Sequence, residues 1–274
     1  MTGPSVAVLI PCFNDGGFLA EAVASVDGSI GLPIIIDDGS TDRATLELLG
    51  TLECSGVQVL RQRNAGPGPA RMAGLRATST PFVLPLDADD RLLPGALQAL
   101  LDALHDHPDA SFAFGDYVTA GSTIGRWEVP QFDRWALQYG NWWPVTSLFR
   151  REAVLDAQGW GAFSYEDWGL WMGLAQRGHT GVHCGRPVYQ RLLHDNRRKA
   201  ADRARHRVNY RRLRVEYPQY FAQGADFRRE TRPSIAKRML YPKVLGSRLL
   251  LPTWVENAVI DRRLRRASTR HHQG

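Results

Sequence analysis

Apolar and polar positions alternate in blocks along the first half of the chain. Short apolar runs of strand length are separated by segments in which apolar residues return with helical spacing. The apolar runs are VAVLIP (6–11), PIIID (33–37), VQVLR (57–61) and Phe82–Leu86. The helical segments lie around Phe18–Val26, Asp42–Leu49, Ala70–Ala77 and Ala96–Leu104. The first run is typical of a strand buried on both faces. The alternation predicts an α/β fold with right-handed crossovers and a mainly parallel sheet flanked by helices.

The second half has a looser pattern. From about Ala110 the alternation gives way to a tryptophan-rich segment around residues 127–143. The rings of Trp142, Trp143, Trp168 and Trp171 either stack on sugars or, more commonly, pack in the core. Helical spacing returns at 165–177, and a basic helical segment follows at about 198–216. With 274 residues and 43% hydrophobic residues, the chain suits one large α/β domain with a helical C-terminal region.

The net charge of +6 conceals an uneven distribution. Residues 1–189 carry 12 Lys and Arg against 21 Asp and Glu, a net charge of −9, whereas residues 190–274 carry 22 against 7, a net charge of +15. An acidic body with a basic tail is not the pattern of a protein that binds nucleic acid along its whole length, and we expect no nucleic-acid partner. The tail predicts an anionic partner or a solvated surface.

The cysteines and the N-terminus bear on the cellular compartment. Cys12, Cys54 and Cys184 are odd in number and widely spaced, which favours reduced, buried thiols over a disulfide framework or a zinc site. No basic segment followed by an apolar run opens the sequence, and no apolar run approaches the length of a membrane span. We therefore expect a cytoplasmic protein.

Three acids stand directly after the fourth apolar run, in PFVLPLDADDRLLP (81–94). Residues two apart in an extended chain point to the same side, so Asp87 and Asp89 present their carboxylates together. Ligands collect at the carboxyl edge of an open α/β sheet, and a cation relieves the repulsion between paired carboxylates. Such oxygen ligands suit Mg²⁺ or Mn²⁺, especially when substrate phosphates complete the coordination shell. The alternative is an Asp-rich turn that caps the next helix, which is what we expect of Asp90.

Three further loops belong to the same edge of the predicted sheet. IPCFND follows the first strand, and IDDGSTD follows the second, where Asp38 can accept hydrogen bonds from a base or a ribose and Ser40 or Thr41 can cap the next helix. In the loop from Asn64 to Arg71, glycines let the backbone approach a ligand and Arg71 offers paired donors to a phosphate or an acid. The chain has neither a G-x-G-x-x-G after the first strand nor a P-loop. An Asx turn with a helix cap would explain the second loop without a ligand.

The segments VAVLIPCFND, IIIDDGSTD, RNAGPGPARMAG and VLPLDADDRL together resemble family 2 glycosyltransferases of the GT-A fold. YEDWGLWMGLAQRG (165–178) is similar to that family's acidic motif, and the likeness covers about residues 5–195. The resemblance implies a nucleotide-sugar-binding half at residues 1–110, an acceptor-binding and catalytic half at 111–195 and a basic helical region at 196–274. It also implies transfer of a sugar from a nucleoside-diphosphate sugar to a hydroxyl acceptor, by single displacement with inversion and with Mn²⁺ or Mg²⁺. The acceptor would be a glycan, a lipid-linked saccharide or a small-molecule glycoside.

The resemblance also gives roles to individual residues. The nucleotide-binding residues that it implies are Pro11, Phe13, Asp15, Asp38, Arg71 and Asp87. Asp89 and His194 match metal ligands, Asp167 matches the general base, and Glu166 orients that base or contacts the acceptor. His194 is followed by Asp195–Arg198 where relatives often have small hydroxyl residues, and this departure suggests that arginines reach the diphosphate instead. From the residues alone, Glu166 and Asp167 also suit the N-terminus of a helix, and His194 also suits a basic surface.

Two other functions remain open from the sequence. A nucleotide- or sugar-binding protein without catalysis, docked by its basic tail, would lack the general base, and Asp167 is present. A sugar-phosphate nucleotidyltransferase would need a basic, glycine-rich loop after the first strand, and IPCFNDGG holds no basic residue. A donor with uridine or thymidine diphosphate fits the role of Asp38, and a donor with guanosine diphosphate is a further alternative.

The basic tail carries apolar residues close to an arginine cluster. Leu249–Leu251 and Trp254 precede the arginine-rich segment Arg262–Arg266. Such side chains can lie at the inner face of an anionic membrane, which would place the active site near a lipid-linked acceptor. The alternative is that these side chains pack on the acidic body and pair with its excess negative charge.

Overall fold

The apolar runs of the first half form a central sheet in the computed structural model, which describes residues 4–121, 124–193 and 205–246. The strands are β1 (Val6–Cys12), β2 (Gly31–Asp37), β3 (Gln58–Arg61), β4 (Phe82–Pro85), β5 (Arg91–Leu92), β6 (Phe112–Gly121), β7 (Gly125–Trp127), β8 (Leu148–Arg150) and β9 (Gly181–Leu193). The helices are α1 (Gly16–Ala24), α2 (Arg43–Cys54), α3 (Pro67–Arg76), α4 (Ala96–Asp106), α5 (Arg151–Asp156), α6 (Glu166–Gln176), α7 (His206–Glu216), α8 (Pro218–Ala222), α9 (Gly224–Thr231) and α10 (Ile235–Val244). A short 3-10 helix covers Ala136–Gln138.

The strand order is β3-β2-β1-β4-β8-β6-β9-β5, with β7 beside β6. β3, β2, β1 and β4 run parallel, as the alternation of strands and helices predicts. The second half is mixed: β6 and β9 run parallel, whereas β4 and β8, β6 and β8, β6 and β7, and β5 and β9 run antiparallel. The connection between β6 and β7 is too short to hold a crossover helix, which forces the antiparallel pairing there.

The sheet is covered by helices on both faces, as the continuous apolar character of β1 predicts. Val6, Val8 and Ile10 pack in one core layer with residues of α1 and α4. Ala7 and Leu9, which alternate with them, pack in the other layer with residues of α3 and α6. All five side chains are fully buried. The molecule therefore has three layers, with the sheet in the middle.

Three of the tryptophans that could stack on sugars belong to the core. Trp143, Trp168 and Trp171 are buried. Their indole N–H groups donate to the backbone oxygens of Pro130 (2.9 Å), Leu137 (2.8 Å) and Trp143 (3.2 Å), respectively. These contacts satisfy the one polar atom of each ring, so the three rings pack in the interior instead of stacking on a sugar.

Two capping predictions are wrong. Asp42, and not Ser40 or Thr41, caps α2, because its carboxylate accepts from the Thr45 backbone N–H at 2.9 Å. Asp90 does not cap a helix either: β5 follows it, and α4 begins after Gly95. The predicted helix at 165–177 is confirmed as α6. Of the predicted helix at 198–216, α7 forms the part from His206 onward, and residues 198–204 lie outside the described residues.

The cysteines are free thiols, but only Cys12 is fully buried. Burial raises the pKa of the Cys12 thiol to about 11, which keeps the thiol protonated. The prediction of buried thiols fails for Cys54, which lies exposed at the end of α2, and Cys184 is half-buried. None of the helices in the described part of the chain is both long and apolar enough to cross a bilayer. The tail residues Leu249–Leu251, Trp254 and Arg262–Arg266 lie outside the described residues, as does His194.

Candidate active site

The loops that carry the candidate residues lie along one edge of the sheet. Cys12, Asp37 and Arg61 are in register at the ends of β1, β2 and β3, and Leu9 of β1 is in register with Pro85 at the end of β4. Because these strands are parallel, the loops after all four emerge at their carboxyl ends. This is the edge at which open α/β sheets bind ligands.

Asp38 connects the second loop to the third. Its carboxylate accepts hydrogen bonds from the Gln62 side chain (2.7 Å), the Ala65 backbone N–H (2.9 Å) and the Gly66 backbone N–H (2.7 Å). The side chain is buried, and these donors balance the cost of burying its charge. Asp38 therefore fixes the loop before α3, a structural task that is additional to the nucleotide role implied by the resemblance.

Asn14 connects the first loop to the second, and the sequence pattern did not single it out. Its side-chain oxygen accepts from the backbone N–H groups of Thr41 (2.8 Å) and Asp42 (2.9 Å), and its own backbone N–H donates to the Ser40 hydroxyl. Its φ of 59° lies in the left-handed region, which asparagine tolerates better than most residues. The position of this asparagine between the end of a strand and the start of a helix is the feature of the sequence that could have predicted its role in connecting the two loops.

The other nucleotide-binding candidates of the first loop line the open edge. Phe13 is 44% exposed, Pro11 is half-buried, and Asp15 is exposed just before α1. An exposed aromatic ring at a ligand-binding edge offers an apolar face for a nucleobase.

The acids after β4 form a compact cluster. One carboxylate oxygen each from Asp87, Asp89 and Asp90 lies within 4.8 Å of the others. Asp90 is buried and accepts from the Leu192 backbone N–H at 3.1 Å, so it ties the acidic turn to the end of β9. Burial, together with the charges of Asp87 and Asp89, raises the pKa of Asp90 well above its usual range.

This donor set fits a divalent cation. Three carboxylates in close proximity repel one another, and a cation would relieve that repulsion. Asp87 and Asp89 are half-exposed at the edge of the sheet, so their oxygens can reach a hydrated ion that also binds substrate phosphates. Asp90 is buried and hydrogen-bonded to β9, which makes it less suited to direct coordination.

Arg71 joins the acidic turn to the acids of α6. Its guanidinium contacts Asp87 Oδ1 at 2.7 Å, Asp167 Oδ1 at 3.0 Å and Glu166 Oε1 at 3.3 Å. The Arg71 side chain is buried, which alone would lower its pKa, but Asp87, Asp167 and Glu166 outweigh this effect and raise the pKa above its ordinary value. Arg71 therefore stays charged and holds carboxylates from distant parts of the chain together.

Close packing of α3 against the segment before α6 allows Arg71 to reach Glu166 and Asp167. A Cβ atom on Gly68, at the start of α3, would lie 2.1 Å from the Gly161 backbone oxygen and 3.2 Å from the Glu166 Cβ. The absence of a side chain at Gly68 therefore lets α3 approach the segment that leads into α6. The sequence predicted glycines for approach to a ligand, whereas Gly68 serves approach to the protein's own backbone.

Exposure distinguishes the acids around Arg71. The side chains of Asp87 and Asp167 are 39% and 32% exposed, whereas that of Glu166 is only 4% exposed. Asp87 and Asp167 can therefore touch a substrate, and Glu166 supports them from the interior. The structure thus brings Arg71, Asp87, Asp89, Glu166 and Asp167 into one region.

Comparisons with known proteins show the family to which the chain belongs. Residues 7–163 match the model of the family described as glycosyl transferase family 2. An N-acetylglucosaminyltransferase from Bradyrhizobium elkanii is 32% identical over 126 residues, which are 43% of this chain and 68% of that protein. The family match ends before Glu166, so the acidic pair of α6 lies outside the matched segment.

Solved structures share the fold. S. aureus TarS residues 1–349, in complex with UDP-GlcNAc, superpose with a TM-score of 0.63 and 16% identity over 85% of this chain and 77% of that one. A mannosyltransferase from Pyrobaculum calidifontis, in complex with GDP-Man and Mn²⁺, gives a TM-score of 0.57 and 15% identity over 88% and 68% of the two chains. With a family match that covers more than half of its length, the chain is a glycosyltransferase and belongs to glycosyl transferase family 2.

Proposed function

We propose that this glycosyltransferase moves a sugar from a nucleoside-diphosphate sugar to a hydroxyl acceptor in a single displacement that inverts the anomeric carbon. Asp167 serves as the general base. Residues 1–110 bind the donor and residues 111–195 bind the acceptor. The observation that carries the proposal is the contact of Arg71 with Asp87 on one side and Asp167 on the other. This contact joins an acidic turn suited to a diphosphate and its cation to an acid suited to proton transfer.

The donor side uses the loops of the first half. Pro11, Phe13, Asp15 and Asp38 bind the nucleoside, and Asp87 faces the ribose and the sugar. The buried Arg71 Nε–H has no hydrogen-bond partner within the described part of the chain, and a substrate oxygen or a water would satisfy it. TarS was solved with UDP-GlcNAc and the mannosyltransferase with GDP-Man. Both uridine and guanosine diphosphate sugars are therefore donor candidates, together with thymidine diphosphate sugars.

The acceptor side uses the first turn of α6. Asp167 is partly exposed and takes the proton of the attacking hydroxyl, which requires hydrogen-bond reach to that hydroxyl. One acid suffices, because a single displacement forms no covalent intermediate. Glu166 is buried against Arg71 and helps to fix Asp167. Arg71 favours the ionised carboxylate, the form that accepts a proton.

A divalent cation, Mn²⁺ or Mg²⁺, fits the acidic turn, with Asp89 as its main protein ligand and His194 as a proposed further ligand outside the described residues. When bound, such a cation stabilises the negative charge that develops on the departing diphosphate. The mannosyltransferase solved with Mn²⁺ supports this choice of metal.

A lipid-linked saccharide is the acceptor class that we favour. The basic C-terminal region, with its net charge of +15 over residues 190–274, would draw the protein to an anionic membrane surface where such acceptors lie. A glycan or a small-molecule glycoside is the alternative acceptor.

A binding screen tests the donor and metal assignments. UDP-, dTDP- and GDP-sugars are titrated into the protein by calorimetry, with and without Mn²⁺. We expect one nucleotide class to bind, and to bind at least about tenfold more tightly with Mn²⁺, because the cation screens repulsion between the diphosphate and the acidic turn. Asp89→Ala should remove that gain and leave the fold intact, because the residue lies in a half-exposed turn.

Asp106→Ala is the matched control, since it removes an exposed acid at the end of α4 and should leave the metal-dependent gain unchanged. Unchanged metal dependence in Asp89→Ala would contradict the metal assignment. Release of nucleoside diphosphate from the bound donor distinguishes transfer from the alternatives. A nucleotidyltransferase instead releases pyrophosphate when it is given a nucleoside triphosphate and a sugar phosphate, and a non-catalytic binding protein releases neither product.

A further inference from the structure

The helix α10 exposes apolar side chains to solvent. Ile235 is 73% exposed, Met239 is 58% exposed and Leu240 is 54% exposed. Ile235 and Met239 are four residues apart and share one face of the helix, with Leu240 beside it. The opposite side holds Tyr241, whose ring packs against Trp135, Tyr139 and Trp142 at centroid distances of 5.6–5.9 Å. The helix is thus fixed through Tyr241 and presents its aliphatic residues outward.

A groove lined by basic residues reaches α10 at Arg238. Arg228, Arg229, Arg232 and Arg238 line an open groove together with Pro233. Residues 224–246 carry six Lys or Arg and two Asp or Glu in all. Arg229 pairs with Asp226, whereas Arg228, Arg232 and Arg238 form no ion pair with any other described residue. The surface therefore combines exposed aliphatic side chains with uncompensated positive charge.

We propose that this α9–α10 surface, formed by Arg228, Arg232, Ile235, Arg238, Met239 and Leu240, docks the protein on an anionic lipid bilayer. The aliphatic side chains enter the boundary between headgroups and acyl chains, and the arginines bind lipid phosphates and other anionic headgroups. A protein partner fits this surface less well, because protein interfaces concentrate aromatic residues in a core depleted of charge. Here the aromatic residue Tyr241 faces inward, and cations flank the apolar residues.

The docking surface is linked to the acids of α6. The backbone oxygen of Gly246, just after α10, accepts from His206 Nε2 at 2.6 Å. The other ring nitrogen, Nδ1, then accepts from the Tyr165 hydroxyl at 2.7 Å. Tyr165 directly precedes Glu166 and Asp167, so docking would hold the start of α6 in a fixed position relative to the bilayer.

Vesicle sedimentation with the full-length protein tests the proposal. The probes are vesicles of phosphatidylcholine mixed with phosphatidylglycerol, compared with phosphatidylcholine alone, at low salt. We expect binding to the mixed vesicles only. Arg228→Ala combined with Arg238→Ala should weaken that binding about 25-fold, since each basic residue near the lipid contributes about fivefold. Ile235→Glu combined with Met239→Glu should weaken it at least about tenfold, because each carboxylate replaces a side chain that inserts.

Leu46→Glu is the matched control, because Leu46 is an exposed apolar residue on α2, outside the docking surface, and its replacement should not change binding. The proposal is overturned if the unaltered protein does not sediment with mixed vesicles. Full binding by both double variants also overturns it, since residues 247–274 alone would then carry the attraction. So does a protein dimer, detected by sedimentation velocity, that Ile235→Glu with Met239→Glu dissociates, because a second copy would then occupy the face.

Discussion

Arg71 shows how one residue can organise a site. Its three carboxylate partners come from the turn after β4 and from the start of α6, 16 to 96 positions away in the chain. The sequence predicted Arg71 as a donor to a phosphate or an acid, and the acids that it contacts are the protein's own. That choice could not be predicted locally, because it depends on how closely α3 approaches α6.

Replacement of Arg71 tests this role. Arg71→Met should lower the free energy of unfolding by about 3–5 kcal/mol, because it leaves the buried Glu166 carboxylate without a countercharge. Arg71→Lys should lower it less, since the charge remains but the fork that reaches Asp87 and Asp167 together is lost. Urea unfolding measures both effects.

The exposed pair of Arg43 and Glu47 provides the control for Arg71. Arg43→Met should change stability by no more than about 1 kcal/mol, as is usual for surface ion pairs. If Arg71→Met were as stable as the unaltered protein, the three contacts of Arg71 would not stabilise the fold as we infer.

At the scale of elements, the prediction succeeded where local pattern decides the structure. The spacing of apolar residues predicts β1 to β4 and the helices between them. The crossover connections predict that these strands run parallel. β9 could not be predicted in this way. Its sequence, GVHCGRPVYQRLL, contains glycine, proline and charged residues, and the strand is defined by long-range pairing with β6 and β5. The predictions of the helix-capping residues failed because several neighbouring polar residues could each cap the helix.

The approach of α3 to the segment before α6 is testable at one glycine. Gly68→Ala should lower the free energy of unfolding by about 1–3 kcal/mol, because the new methyl group would overlap the Gly161 backbone oxygen. The same shift should displace Arg71 from Glu166 and Asp167 and reduce turnover. Thermal unfolding and an assay of nucleoside-diphosphate release measure the two effects.

Gly50→Ala in α2 is the matched control. A Cβ atom there meets nothing within 4 Å, and alanine should stabilise the helix by about 0.5–1 kcal/mol. If Gly68→Ala and Gly50→Ala changed stability and turnover equally, α3 would not be in close contact with the segment around Gly161.

At the scale of the whole molecule, a buried ionic cluster joins strands of the second half. Asp116 of β6 accepts from Arg126 Nε of β7 at 3.0 Å, His183 Nε2 of β9 at 3.0 Å and the Val129 backbone N–H at 2.9 Å. Burial alone would raise the Asp116 pKa, but the hydrogen bonds from His183, Arg126 and Val129 outweigh it and lower the pKa to about 2. No sequence motif indicated this cluster.

The low Asp116 pKa predicts a pH dependence of stability. In the unfolded chain the pKa of an aspartate is about 3.9, so the unfolded state binds the proton first as the pH falls. The cluster therefore contributes its full stabilisation, about 2–3 kcal/mol, above about pH 4 and loses it as the pH falls towards 2. Asp116→Asn should be less stable than the unaltered protein at neutral pH, and the difference should shrink below pH 4.

Urea unfolding at a series of pH values checks this expectation, with Asp106→Asn at the exposed end of α4 as the control. A difference between Asp116→Asn and the unaltered protein that stays constant down to pH 3 would count against the ionic role of Asp116.

Loss of the Asp167 carboxylate should abolish most of the sugar transfer. Asp167→Asn keeps the shape of the side chain and removes the proton acceptor. The measurement is the release of nucleoside diphosphate from the donor that the binding screen selects, with water as the attacking hydroxyl and Mn²⁺ present, together with the donor affinity. We predict that turnover falls roughly 10²–10⁴-fold while donor affinity stays within about threefold of the unaltered protein. Turnover close to that of the unaltered protein, at unchanged donor affinity, would contradict the account, because the reaction would then proceed without its proposed base.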